Sequence, residues 1–146
     1  MKKIINEIRF RLLAKSVNES VSRAIISAFS AELNPTVDEL GDLRCAVSEA
    51  VTNAIVHAYR GVSDPDHSYI YISARLYNTR EITVEISDNG CGIENVGLAM
   101  SPSYTTGDAA ERCGLGFLVM ASFTDSLTVK SKVGRGTTVL MRKILK

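Results

Sequence analysis

The sequence predicts an α+β fold, a two-layer α/β sandwich with helices on one face of a mixed, mostly antiparallel sheet. Three observations carry that expectation: a period-2 run followed by two helical-period runs, a pair of strand-like runs in the middle, and a hairpin signature at the end. Strands and helices that segregate in this order, rather than alternating, favour helices layered on one side of a sheet.

At the start, Ile8, Phe10 and Leu12 alternate with Glu7, Arg9 and Arg11, the pattern of a half-buried strand. Ser16 and Glu19 make a Ser-x-x-Glu capping box ahead of Val17, Val21, Ala24, Ile25, Ala28 and Phe29 at helical spacing. A first helix should therefore run to about Leu33, with Arg23 on its exposed face, away from that stripe. Pro35 stops it, and Thr36 with Glu39 makes a second capping box. Leu40, Leu43, Val47, Val51, Ala54 and Ala58 then place one stripe of a long second helix against a core.

Gly61 to His67 reads as a loop. The strand pair puts Ile70, Ile72, Ala74 and Leu76 on one face of its first strand and Ile82, Val84 and Ile86 on one face of its second, with a turn near Asn78. Two glycine clusters, Gly90/Gly92 and Gly114/Gly116, flank about twenty residues of weak periodicity, a length that inside a compact domain usually signals a functional loop such as a lid. Leu115 to Phe123 fits a short helix. Leu127 to Val133, the turn Gly134-Arg135-Gly136 and Thr137 to Arg142 read as a closing hairpin.

A chain of 146 residues fits one domain spanning 1–146, able to bury roughly two-thirds of its unfolded surface without staples. Its 45% hydrophobic and 23% charged residues are ordinary for a folded domain, and a net charge of +1 argues against direct nucleic-acid binding. Cys45, Cys91 and Cys113 are odd in number and form no CxxC pair, so they read as reduced thiols of a cytoplasmic protein. The basic start, Met1 to Lys3, is interrupted by Asn6, Glu7 and Arg9 before a signal-like apolar run develops, and nothing approaches the ~20 apolar residues of a membrane span.

Glu49, Asn53 and His57 recur every four residues and share a face of the second helix, roughly opposite its apolar stripe. Alone, this spacing equally describes a solvated face. Asp88 continues the face of Ile82, Val84 and Ile86, so its carboxylate should point inward where the strand ends and must find donors there. In Asp88-Asn89-Gly90-Cys91-Gly92 the acid can accept from an exocyclic amine while the glycines admit a flat base, although a plain turn has the same composition. Gly114-Leu115-Gly116-Phe117 before a helix suits backbone N–H groups holding phosphate, and no Gly-Lys-Ser/Thr follows to make a Walker A loop. Asp-x-Gly-x-Gly arises by chance in only a few per cent of chains this size, so its company with the other two elements is informative.

In this order, Glu49-x-x-x-Asn53, Asp88-x-Gly90-x-Gly92 and Gly114-x-Gly116 resemble the N, G1 and G2 boxes of the GHKL superfamily, whose ATP-binding domain is the Bergerat, or histidine-kinase-like ATPase, fold. A closer resemblance, nearly end to end, is to the anti-sigma serine kinase family of anti-sigma F factors and their stress-response relatives. It rests on Asn18-Glu19-Ser20-x-x-Arg23, Asn34-Pro35-Thr36-x-Asp38-Glu39-Leu40, Val47 through Tyr59, and Tyr104-Thr105-Thr106 through Glu111-Arg112-x-Gly114-x-Gly116-Phe117.

The resemblance implies ATP and Mg²⁺ as cofactors, Glu49 as general base and Asn53 as the metal ligand. Asp88 would meet the adenine amine, Gly90 and Gly92 would shape the base pocket, and Gly114 and Gly116 would line the phosphates. Thr105, Thr106 and Arg112 would sit in an ATP lid, Thr138 near the adenine, and Arg23 on the partner-binding surface. The partners implied are an RNA polymerase sigma factor, an anti-anti-sigma factor phosphorylated on serine, and a second copy in a homodimer. An ATP-gated sigma-binding module without kinase activity is the alternative. The detached catalytic domain of a histidine kinase fits less well, because His57 and His67 lie in the nucleotide helix and a loop, and a chain starting at Met1 leaves no room for a dimerisation helix.

Overall fold

The opening alternating run forms β1 (Ile4–Leu13) in a computed structural model that describes residues 1–61, 64–100 and 116–146. The middle runs form β2 (Tyr69–Tyr77) and β3 (Glu81–Asp88), and the closing hairpin β4 (Ser126–Lys132) and β5 (Gly136–Ile144). The strands lie in the order β1-β2-β3-β5-β4. Each adjacent pair is antiparallel, so the sheet is antiparallel throughout its described strands rather than mixed.

Both inward faces read from the sequence are buried: Ile70, Ile72, Ala74 and Leu76 on β2, and Ile82, Val84, Ile86 and Asp88 on β3. The helices cover this face, while Arg9, Arg11, Tyr71 and Arg75 line a shallow groove on the opposite one. Burying each such Ile, Val or Leu contributes about 1.5–3 kcal/mol, which makes this interlayer core the main stabilising feature.

The first helix, α1 (Val17–Ser30), extends through a 3₁₀ turn (Ala31–Leu33) and ends at Asn34, whose φ of 49° is left-handed. Its end matches expectation, but its orientation does not. Of the expected stripe, Val17, Val21, Ala24 and Ala28 are exposed and Ile25 and Phe29 half-buried, Phe29 against the core, whereas Ser22, Ile26 and Ser30 are buried. Ser22 Oγ donates to Glu19 O and Ser30 Oγ to Ser27 O, so these hydroxyls enter the core already satisfied. The Ser16 capping box is also absent: Ser16 is helical and makes no side-chain cap. Glu19 instead accepts from Ser48 on the second helix and pairs with Arg23 at 3.3 Å.

The second helix, α2 (Val37–Asn53), opens with the expected box, Thr36 Oγ1 accepting from Glu39 N–H and Glu39 Oε1 from Thr36 N–H. Leu43, Val47 and Val51 are buried, with Ala46 and Ala50 alongside. Beyond Asn53 the helix widens into a π-turn, Ala54–Ala58, which periodicity did not foretell. A one-turn helix, α3 (Val96–Ala99), is capped by Asn95, and α4 (Gly116–Ser122) packs on α2 through the region of buried Phe117 and Met120.

Candidate functional site

A cavity of about 430 Å³ opens between the end of α2, the exit of β3, α3 and α4. That volume suits a small ligand. Its apolar lining includes Ile86, Val139, Ala99 and Phe117, and α2 contributes Ala50, Ala54 and Ala58. Ala54 and Ala58, the last members of the expected core stripe, thus border with Ala50 an open space that small side chains leave unfilled.

Asp88 is the buried acid of this cavity. Its Oδ1 accepts from Gly90 N–H at 2.9 Å and Thr137 N–H at 3.3 Å, while Oδ2 has no partner among the described residues. Burial pushes the carboxyl above its ordinary value, and the two backbone donors pull it back only in part. An acid held this way has one oxygen ready for a donor on a ligand, the arrangement an exocyclic amine satisfies.

The glycines after Asp88 make room chiefly for the chain itself. A Cβ on Gly90 would fall 2.1 Å from Ala58 O, and Gly90 does not line the cavity. Cys91 N–H donates to that same Ala58 carbonyl at 2.7 Å. Gly92, with φ of 77°, does line the cavity, and a Cβ there would fall 2.2 Å from Lys132 O. The loop is thus clamped between the π-turn and the hairpin, and the hydrogen bond from Gly134 N–H to Cys91 O completes the hold.

At the other end, Asn53 lines the cavity and Glu49 stands one turn before it. A Cβ on Gly116 would lie 3.2 Å from Asn53 Nδ2 and 3.3 Å from Glu49 Oε2, so these groups converge on the bare start of α4. Carboxylate and amide oxygens around a glycine suit a hard divalent cation and the phosphate it would accompany, and the residues present fit a nucleotide with Mg²⁺. His57 and Arg60 also line the cavity; Arg60 Nη2 lies 3.1 Å from His57 Nδ1.

Thr138 is a correction. It sits opposite Ser87 on β3 and Lys130 on β4, and strand alternation turns it to the outer face. Thr137 and Val139 line the cavity instead, and Thr137 supplies the N–H that holds Asp88. Sequence reasoning missed Thr137 by one residue; the buried Val139 and Met141, which share its parity, carried the signal. It also missed Gly136, whose φ is 111° and whose absent Cβ would meet Asp88 O at 2.0 Å. Arg23 is half-buried and paired with Glu19 rather than projecting freely. Thr105, Thr106, Arg112 and Gly114 lie outside the described residues, as does Cys113. Among the described residues no helix is long and apolar enough to cross a membrane.

The family described as the histidine kinase-like ATPase domain matches residues 12–143. The anti-sigma F factor of Clostridium acetobutylicum is 44% identical over 138 residues, covering 94% of this chain and 93% of its own. That of Clostridium perfringens is 46% identical over 138 residues, covering 94% and 96%. That of Caldanaerobacter subterraneus subsp. tengcongensis is 45% identical, covering 96% and 94%. Among solved structures, the RsbU and RsbW domains of a Mycobacterium tuberculosis protein superpose with a TM-score of 0.69 at 18% identity, over 96% of this chain and 32% of that one. At that identity the likeness speaks for the fold alone. A blue-light activated histidine kinase of Erythrobacter litoralis superposes with a TM-score of 0.57 over 76% of this chain and 32% of its own, at 24% identity.

Proposed function

This chain belongs to the histidine kinase-like ATPase family and, within it, to the anti-sigma F factors, and on that premise we propose that it sequesters an RNA polymerase sigma factor and phosphorylates a serine of an anti-anti-sigma partner. The observation that carries the reading is Asp88, buried at the exit of β3 and lining the cavity, with one oxygen unpartnered among the described residues. At the cavity's far end Glu49 and Asn53 meet the bare start of α4.

ATP with Mg²⁺ supplies the phosphoryl group when bound. Asp88 would accept from the adenine amine, and the walls of Ile86, Val139 and Ala58 would shield the ring from water. Asn53 would offer its amide oxygen to the metal. Glu49 takes the proton of the incoming serine hydroxyl, because it stands beside Asn53 and Gly116 where the reacting phosphate would lie. Phosphoryl transfer asks mainly for positioning and charge neutralisation, and a correctly placed base adds about 10²–10⁴-fold. On α1, Arg23 meets the protein partners, in a homodimer.

Glu49→Gln should keep ATP binding and lower phosphate transfer to the anti-anti-sigma protein by about 10²-fold or more, read with γ-³²P-labelled ATP. Undiminished transfer would refute the base assignment. Tight ATP binding by the unaltered protein with no transfer at all would favour a nucleotide-gated binding module.

A further inference from the structure

Where β2 and β3 part company, a side-chain hydroxyl occupies the place of a ladder hydrogen bond. The register pairs Ile70 with Asp88, so the next pair outward is Tyr69 with Asn89. These two do not join directly. Tyr59, just beyond the π-turn of α2, donates its O–H to Tyr69 O, and Asn89 N–H donates to Tyr59 Oη at 3.0 Å. The hydroxyl therefore sits between the strands and holds them apart at the residue where β3 leaves the sheet. Burial pushes the Tyr59 hydroxyl above its ordinary value of 10.0, so it remains a donor across the working pH range.

We infer that Tyr59 is a positioning residue for base selection, acting through Asn89 to aim the Asp88 carboxylate into the cavity. Tyr59 does not itself line the cavity. Its effect follows from three consecutive amides. Asn89 N–H is held by Tyr59, Gly90 N–H by Asp88 Oδ1, and Cys91 N–H by Ala58 O. Two of the three anchors come from the end of α2, so the widened turn dictates where the acid points. Without the hydroxyl, Asn89 N–H can close directly on Tyr69 O, which draws Asp88 toward β2 and away from the Thr137 N–H that fixes its rotamer.

The inference rests on the nucleotide reading above, and the experiment separates the two. Affinities for ATP and for the triphosphate of purine riboside, which lacks the 6-amino group, are measured by calorimetry with wild type and Tyr59→Phe. The ring is retained, so the variant should melt cooperatively; ATP affinity should fall about tenfold while the analogue binds as before. Unchanged ATP selectivity, or equal weakening for both ligands, would overturn the positioning role. Amide hydrogen exchange on the nucleotide-free wild type gives a readout needing neither variant nor ligand: Asn89 should exchange slowly, and fast exchange would remove the wedge. Slow exchange with no uptake of either nucleotide would instead overturn the nucleotide reading, and base selection with it.

Discussion

Asp88 is the residue at which stability and recognition pull in opposite directions. Its carboxyl is raised by burial, so the stability it contributes is present below the ordinary value of 3.8 and lost as pH rises through the folded value. At neutral pH the ionised form is therefore a liability to the empty protein. Asp88→Asn keeps an oxygen for the Gly90 and Thr137 donors but turns an NH₂ toward the cavity, where an adenine amine would meet donor with donor. Thermal melts at pH 7 should show a Tm equal to or above wild type, while calorimetry shows ATP affinity down at least about tenfold. Two glycines give a paired test. In Gly90→Ala the new methyl meets Ala58 backbone at 2.1 Å, and a loss of about 2–3 kcal/mol is expected in denaturant melts. In Gly116→Ala the neighbours are the side chains of Asn53 and Glu49, which can yield, so stability should hold within about 0.5 kcal/mol while ATP affinity falls. Asp88 and Asn53 were legible from the sequence because alternation and four-residue spacing are local. Thr137 was missed because a one-residue register decides which face a threonine takes.

Among the elements, α1 and α2 show how far capping and hydropathy signals reach. Both begin with a Ser/Thr-x-x-Glu pattern, yet only Thr36 closes its box; at Ser16 the glutamate is drawn to Ser48 and Arg23 on the interhelical side. Thr36→Ala should thus lower stability by about 1 kcal/mol, and Ser16→Ala should leave it nearly unchanged, as urea melts of both variants will show. The burial of α1 departs from its hydropathy, since Ser22 and Ser30 enter the core beside Ile26 with their hydroxyls bonded to the preceding turn while Val17 and Val21 remain outside. Composition along one helix cannot report that, because backbone acceptors satisfy serine irrespective of its neighbours. The π-turn at Ala54–Ala58 is equally silent in the sequence. It arises where the Ala58 carbonyl turns to Cys91, which lies 33 positions further along the chain, and π-turns recur at functional sites.

Over the whole molecule, Glu81 ties the chain's start to its end across the central strand. Its buried Oε1 accepts from Lys2 Nζ at 2.9 Å and from Arg142 Nε. Burial acts to raise this carboxyl, but the hydrogen bonds from Lys2 and Arg142 outweigh it and hold it below 4.5. Stability from Glu81 is therefore present above pH 4.5 and lost as pH falls through the lowered folded value. Glu81→Gln should destabilise the protein by about 1–2 kcal/mol at pH 7, discounted for the exposed cations, and its unfolding free energy should fall less steeply than wild type on acidification. The chain by itself determined the number and order of the main strands and helices, the inward faces of β2 and β3, the buried acid, and the family boxes, because each depends on neighbours within a few residues. Tertiary structure decided which face of α1 is inside, which threonine meets Asp88, and why Gly90 must lack a side chain, because those outcomes depend on partners tens of residues away whose approach no local period encodes.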